Sequence, residues 1–288
     1  MQRDRILKVL PMKVRRLIEE EQLQFDYLQE IRLRTGKPLL IVYRGDELMA
    51  GPGRGRPYIV TKEDIREMMG YISNYSLYAY EQEMKQGFIT IEGGHRVGMT
   101  GQAIIEDGKV KNIKYVSSVN LRIAHEVLGC ADAVFPYVSC NRQLCHTLVI
   151  SPPRCGKTTL LRDMIRQISD GNAWVRGMSV GVVDERSEIG GCYMGVAQNH
   201  LGMRTDVLDC CPKADGMMML IKTMAPQVVA VDEIGSEEDF RAIEYARSCG
   251  CRLLATVHGD SIEDLKEKPI LKRLVEEKTF SRYVVLGN

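Results

Sequence analysis

No apolar run in this 288-residue chain approaches the roughly 18 to 20 residues that cross a bilayer, so any membrane attachment has to be borrowed from a partner. Net charge is also missing. The 39 Lys and Arg stand against 38 Asp and Glu, a balance that gives no global field for nucleic acid or anionic lipid. The nine cysteines include no Cys-x-x-Cys pair, which argues against a zinc knuckle. No charged-then-apolar leader opens the chain, and together with the odd, scattered thiols this leads us to expect a reduced cytosolic protein whose cysteines mostly pack as small apolar residues. Internal repeats and low-complexity tracts are absent too. What remains is the composition of an ordinary globular protein, 44% hydrophobic and 27% charged, with enough length for two cores.

The chain is organised around Ser151-Pro152-Pro153-Arg154-Cys155-Gly156-Lys157-Thr158-Thr159. This stretch follows the apolar run Thr147 to Ile150 and leads into the amphipathic Leu160 to Ile168. Strand, loop and helix in that order form a phosphate-binding loop, because the turn aims backbone N–H groups and a helix N-terminus at one point. Lys157 is placed to reach the β- and γ-phosphates of a nucleotide, and the Thr158 hydroxyl to ligate Mg²⁺. The loop is a variant: Ser151 replaces the usual first glycine, and two prolines stiffen it.

Before the loop the pattern is mixed. Ile6 to Glu21 reads as amphipathic helix interrupted at Pro11. Glu30 to Arg34 and Pro38 to Tyr43 read as a hairpin, and Gly51 to Pro57 as a loop. Thr61 caps a helix through Ile65, Met68, Met69 and Ile72. Strands follow at Phe88 to Glu92, His95 to Met99, Gln102 to Ile105 and Val110 to Val119, with turns at Gly93-Gly94 and Asp107-Gly108. Arg96 and Arg122 stand as basic residues in apolar or small-residue segments; each is either a snorkelling edge charge or a cation that faces a neighbouring subunit's nucleotide. Residues 132–142, with Pro136 between apolar patches, look like the join. We therefore expect an α+β domain over 1–137 and an α/β domain over 138–288, with parallel strands at 146–150, 179–183, 228–231, 253–257 and 283–286.

Ligands of open parallel sheets bind at the carboxyl ends of the strands, and three such ends carry suitable chemistry. Val228 to Val231 runs into Asp232-Glu233, 75 residues beyond Lys157. This is a Walker B pattern in which Asp232 holds Mg²⁺ and Glu233 orients or deprotonates the attacking water. Gly181-Val182-Val183 runs into Asp184-Glu185-Arg186-Ser187-Glu188, either a second catalytic acidic end or a structural turn. Ala255-Thr256-Val257 ends in His258, suited to sensing a γ-phosphate.

These elements, in this order, resemble the secretion-type ATPases of type II and type IV secretion and pilus machines. Among them the chain is most similar to the family that acts in stage III of sporulation in endospore-forming bacteria. The segments that carry the resemblance are 151–163, 183–189, 199–219, 225–235 and 255–261, with 31–38 and 117–126 in the N-terminal part; together they span the whole chain. The resemblance implies a RecA-like P-loop NTPase domain behind a smaller N-terminal domain and ATP bound at a subunit interface of a hexameric ring. It also implies work at the cytoplasmic, mother-cell face of a membrane-spanning channel complex, with no nucleic acid and no direct membrane insertion. On it, Asp184 to Glu188 become an acidic box, with Glu185 and Glu188 as alternatives to Glu233 for the catalytic carboxylate. His258 becomes the histidine box, and Arg96 or Arg122 the cation that reaches an adjacent subunit. Two departures stand out: the larger secretion ATPases carry Gly-Glu where this chain has Asp232-Glu233, and glycine is expected where this chain has Arg154. An ATP-binding scaffold with little turnover, or a nucleic-acid motor on the same core, are the competing expectations.

Overall fold

A computed structural model describes residues 2–53, 56–73, 83, 87–153 and 155–287. Arg154, and Arg54 and Gly55 of the 51–57 loop, lie outside the described residues. The chain divides into two compact units, Met1–His125 and Glu126–Asn288.

In the first unit, α1 (Gln2–Val9) and α2 (Met12–Glu20) are separate helices, because Pro11 lacks the N–H that a continuous helix needs. Strands β1 (Leu28–Arg34), β2 (Leu39–Tyr43) and β3 (Asp46–Ala50) precede α3 (Lys62–Ile72); β4 (Phe88–Ile91), β5 (His95–Glu106) and β6 (Lys109–Arg122) follow it. They form one antiparallel sheet in the order β3-β2-β1-β6-β5-β4. Thr61 and Asp64 close a reciprocal capping box on α3, which satisfies N–H groups the helix cannot satisfy internally. The apolar spacing of that helix then buries Ile65, Met68, Met69 and Ile72 against Leu28, Ile31, Leu33, Ile41, Val97 and Leu121 of the sheet.

The second unit begins earlier than residue 138. Ala131, α4 (Phe135–Val138) and the short pair β7 (Ser139–Cys140) and β8 (Gln143–Leu144) precede its main sheet. Phe135 and Val138 are buried in this unit's core. The buried carboxylate of Asp163 accepts the Ala131 N–H at 2.9 Å, and Gln167 donates to Asp132 at 2.7 Å. Packing and hydrogen bonding thus tie the expected linker to this unit.

Six parallel strands follow: β9 (Thr147–Ser151), β10 (Val180–Asp184), β11 (Thr205–Asp209), β12 (Val228–Val231), β13 (Arg252–His258) and β14 (Arg282–Val285), in the order β11-β10-β12-β13-β9-β14. Alternate residues feed opposite faces. Leu148, Ile150, Val229, Val231, Leu253 and Ala255 pack with α6 (Lys213–Met224), α7 (Glu237–Ser248), α8 (Ile262–Glu267) and α9 (Pro269–Glu276). Val149, Val182, Val228, Ala230 and Leu254 pack with α4 and α5 (Lys157–Asp170). A parallel sheet covered on both sides is what the continuous apolar strands predicted.

Two expectations need correction. Strand β11 is absent from the sequence reading, because Thr205–Asp209 is a half-exposed edge with polar residues at both ends. The cysteines are not mostly packers: only Cys192 and Cys251 are buried. Cys210 follows the end of β11 in a left-handed conformation, and Cys249 is the C-terminal cap of α7, positions where a small side chain meets solvent.

Candidate functional site

The order of the parallel sheet decides which strand ends meet. β13 lies between β9 and β12, with His258 level with Ser151 and Ala255 level with Val231. The carboxyl ends of all three open on the N-terminus of α5. Gly156 is the N-cap of that helix with φ 82°, a left-handed conformation that glycine adopts without strain. No side chain caps α5, whereas α3 and α7 carry complete capping boxes. A first turn with no intrahelical acceptors and no side-chain cap is suited to an anion.

The structure gathers five of the singled-out side chains here. Lys157 is buried, and its Nζ donates to Glu233 Oε1 at 2.9 Å. It also lies 3.3 Å from both ring nitrogens of His258. His258 Nε2 is 2.8 Å from the same Glu233 oxygen. Thr158 Oγ1 donates to Asp232 Oδ2 at 2.8 Å. A hydroxyl and a carboxylate that converge in this way form an oxygen-donor set of the kind that Mg²⁺ takes.

The rest of the loop is placed as follows. Ser151 is buried at the end of β9 and donates to the Pro152 carbonyl at 2.8 Å. Cys155 Sγ is 3.6 Å from the Pro153 carbonyl, and the Thr159 carbonyl lies 3.7 Å from Cys130 Sγ. Glu233 itself has φ 53°, a left-handed backbone unusual for a residue with a side chain.

The acidic strand end divides its labour. Asp184 is buried and accepts the amides of Glu188, Ile189 and Gly190 at 2.7 to 2.9 Å. Its carboxylate therefore holds a turn. Burial pushes it up to about 6, with Asp209 adding to that, against the three amides that favour the charged form. Glu185 pairs with Lys213. Glu188 shares the lining of the cleft with Glu185, Arg186, Lys213, Asp232 and Glu233. Burial drives Glu233 upward, but the hydrogen bond from Lys157 and the charges of Lys157, His258 and Arg186 outweigh it and hold Glu233 below its ordinary 4.5.

Arg96 and Arg122 are in the first unit, and the register makes them direct cross-strand neighbours on β5 and β6. Arg96 lies over the Phe88 ring at 3.9 Å, and Arg122 is 3.7 Å from Glu30. Like charges set directly opposite are unfavourable, and Glu30 and the ring offset that cost here.

Two residues at the cluster were missed. Thr256 Oγ1 donates to Asp232 Oδ1 and accepts the Glu233 N–H at 2.9 Å, so one buried hydroxyl ties both Walker B carboxylate residues to β13. A hydroxyl inside an apolar buried strand needs a partner, and that was the available signal. Arg186 Nη1 donates to Glu233 Oε2 at 3.0 Å; a lone cation in an acidic loop was its signal. Among the described residues no group of three or more His, Cys, Asp or Glu is placed to hold a metal, and no helix is long and apolar enough to cross a membrane.

Comparison with known proteins adds the following. The family model for sporulation stage III, protein AA, matches residues 1–288. Stage III sporulation protein AA of Bacillus subtilis (strain 168) is 44% identical over 283 residues, covering 98% of this chain and 90% of the relative. Among solved structures, the ATPase DotB of Legionella pneumophila aligns with a TM-score of 0.58 at 16% identity, over 94% of this chain and 72% of its own. The pilus retraction motor PilT with bound ADP aligns with a TM-score of 0.58 at 18% identity, over 91% and 70%. The chain therefore shares the fold of DotB and PilT.

Proposed function

Since the chain belongs to the sporulation stage III protein AA family, we propose that it is an ATP-hydrolysing motor of the secretion type, assembled as a hexameric ring at the cytoplasmic, mother-cell face of a membrane-spanning sporulation channel complex. The observation that carries this reading is the convergence of Lys157, Thr158, Asp232, Glu233 and His258 on the uncapped N-terminus of α5.

In this reading the first-turn amides of α5 and the Lys157 ammonium bind the phosphates of ATP. Thr158 and Asp232 hold Mg²⁺, which supplies neutralising charge to the phosphate oxygens. Glu233 orients the attacking water and takes its proton, with Glu185 and Glu188 on the same cleft as the other carboxylates. Thr256 fixes Asp232 and Glu233 relative to each other. His258 sits against both Lys157 and Glu233, a position from which loss of the terminal phosphate can be passed to α8. Arg96 and Arg122 are the candidates for a cation given to an adjacent subunit, and the membrane components are partners, with no nucleic acid required.

One observation favours a second reading, an ATP-binding scaffold with little turnover. Glu233 is held by Lys157, His258 and Arg186 at once, and a carboxylate with a lowered pKa is a weaker base. Phosphate release with Mg·ATP, measured over a range of protein concentrations beside Lys157→Ala and Glu233→Gln, separates the two. The motor predicts turnover that rises more than linearly with protein and is lost in both variants. Binding that is lost in Lys157→Ala, with no turnover at any concentration, supports the scaffold.

A further inference from the structure

The side chains around Glu233 form a cluster of donors about one carboxylate. Three cationic or proton-bearing groups, Lys157, His258 and Arg186, come from three different strand ends and converge on the two oxygens of one carboxylate. Lys157 takes Oε1 and Arg186 takes Oε2. The carboxylate therefore sits between an ammonium and a guanidinium as an internal anion, and a phosphate oxygen satisfies the same donors.

Arg186 differs from the other two in how it is held. Its loop is fixed: Asp184 accepts the amides of residues 188 to 190, the Cys210 N–H returns to the Asp184 carbonyl at 2.8 Å, and Ser187 Oγ accepts the Cys192 N–H at 3.1 Å. Ser187, with φ 51°, turns the chain sharply just after Arg186. The Arg186 side chain projects from this rigid turn and is 65% exposed, against 7% for Lys157. Glu185, the adjacent carboxylate, is already paired with Lys213. An ion pair with a solvent-exposed cation contributes little to stability, so the guanidinium can leave Glu233 at little cost. Its planar fork also suits phosphate better than an ammonium does.

We infer that Arg186 reads the terminal phosphate in its own subunit: when a nucleoside triphosphate enters the cleft, its guanidinium passes from Glu233 to the γ-phosphate oxygens, so that the site distinguishes tri- from diphosphate. This inference rests on the nucleotide-binding reading of the cleft. It is separate from any cation that an adjacent subunit supplies.

The test uses the full-length chain with Mg²⁺ and two probes, a fluorescent ADP and a fluorescent non-hydrolysable ATP analogue. Arg186→Ala is expected to weaken the ATP analogue tenfold or more while ADP affinity stays within twofold, and Arg186→Lys to fall between Ala and wild type. An unchanged ratio of the two affinities in Arg186→Ala overturns the inference, whether both affinities hold or both fall together. Wild type that binds both probes, with both lost in Lys157→Ala, keeps the cleft reading even if the Arg186 result is negative. Wild type that binds neither probe overturns the cleft reading and this inference with it.

Discussion

Thr256→Val removes one oxygen and keeps the shape of a fully buried side chain. In the native site that oxygen accepts the Glu233 N–H at 2.9 Å and donates to Asp232. Valine leaves the Glu233 amide without this acceptor, on the side where Thr256 is fully buried. An orphaned buried donor costs about 1 to 3 kcal/mol, which at about 1.4 kcal/mol per tenfold is a roughly 5- to 150-fold change in a local equilibrium. The assay is amide hydrogen exchange read at residue 233, because exchange reports local opening and not only global stability. Glu233 in Thr256→Val is expected to exchange faster by that factor, while core amides of β9 and β10 move little. Thr256→Ser is the control: it keeps the hydroxyl and loses a methyl worth about 0.8 kcal/mol, so residue 233 stays protected. Exchange at residue 233 in the valine variant within twofold of wild type would refute the claim that this hydroxyl holds the Walker B end in place.

Glu233 has a lowered pKa in the folded state, so the unfolded chain binds its proton first as pH falls. Its contribution to stability is present above pH 4.5 and is lost as pH drops below that through the lowered folded value; urea midpoints across this range are expected to slope less in Glu233→Gln than in wild type. Gly156→Ala forces a residue with a Cβ into φ 82°, although no atom lies within 4 Å of that Cβ. The strain alone predicts a loss of about 1 to 2 kcal/mol, measured by urea denaturation. Asp163→Ala removes a buried carboxylate from the Ala131 amide, Arg166 and Gln167. A loss of about 3 kcal/mol or more is expected in thermal unfolding, with faster exchange at Ala131.

The strand, turn and helix around Gly156 were legible because their signals are local. Thr147 to Ile150 is an uninterrupted apolar run, Gly156 marks a left-handed turn, and Leu160, Leu161, Met164, Ile165 and Ile168 repeat with helical spacing; all of these hold in the structure. Strand β11 was not legible, since an edge strand is buried on one side only and its pattern weakens accordingly. The limit of the first unit was misplaced because the contact that ties residue 131 to the second unit comes from Asp163, 32 residues away. The role of Asp184 was open between catalysis and a turn, and only the three amides that fold back on it show the turn.

The sequence by itself determined the parallel sheet and the residue types at each strand end, because apolar periodicity and turn chemistry act over a few residues, and its motifs carried the family. The tertiary structure decided which of those ends meet. Lys157 reaches Glu233 across 76 residues and His258 across 101, and it does so because β13 is inserted between β9 and β12. That insertion also brings Thr256 beside Asp232, while the place of β10 on the other side of β12 lets Arg186 reach Glu233. Strand order is settled by packing both faces of the sheet at once, and no local window of the sequence contains it.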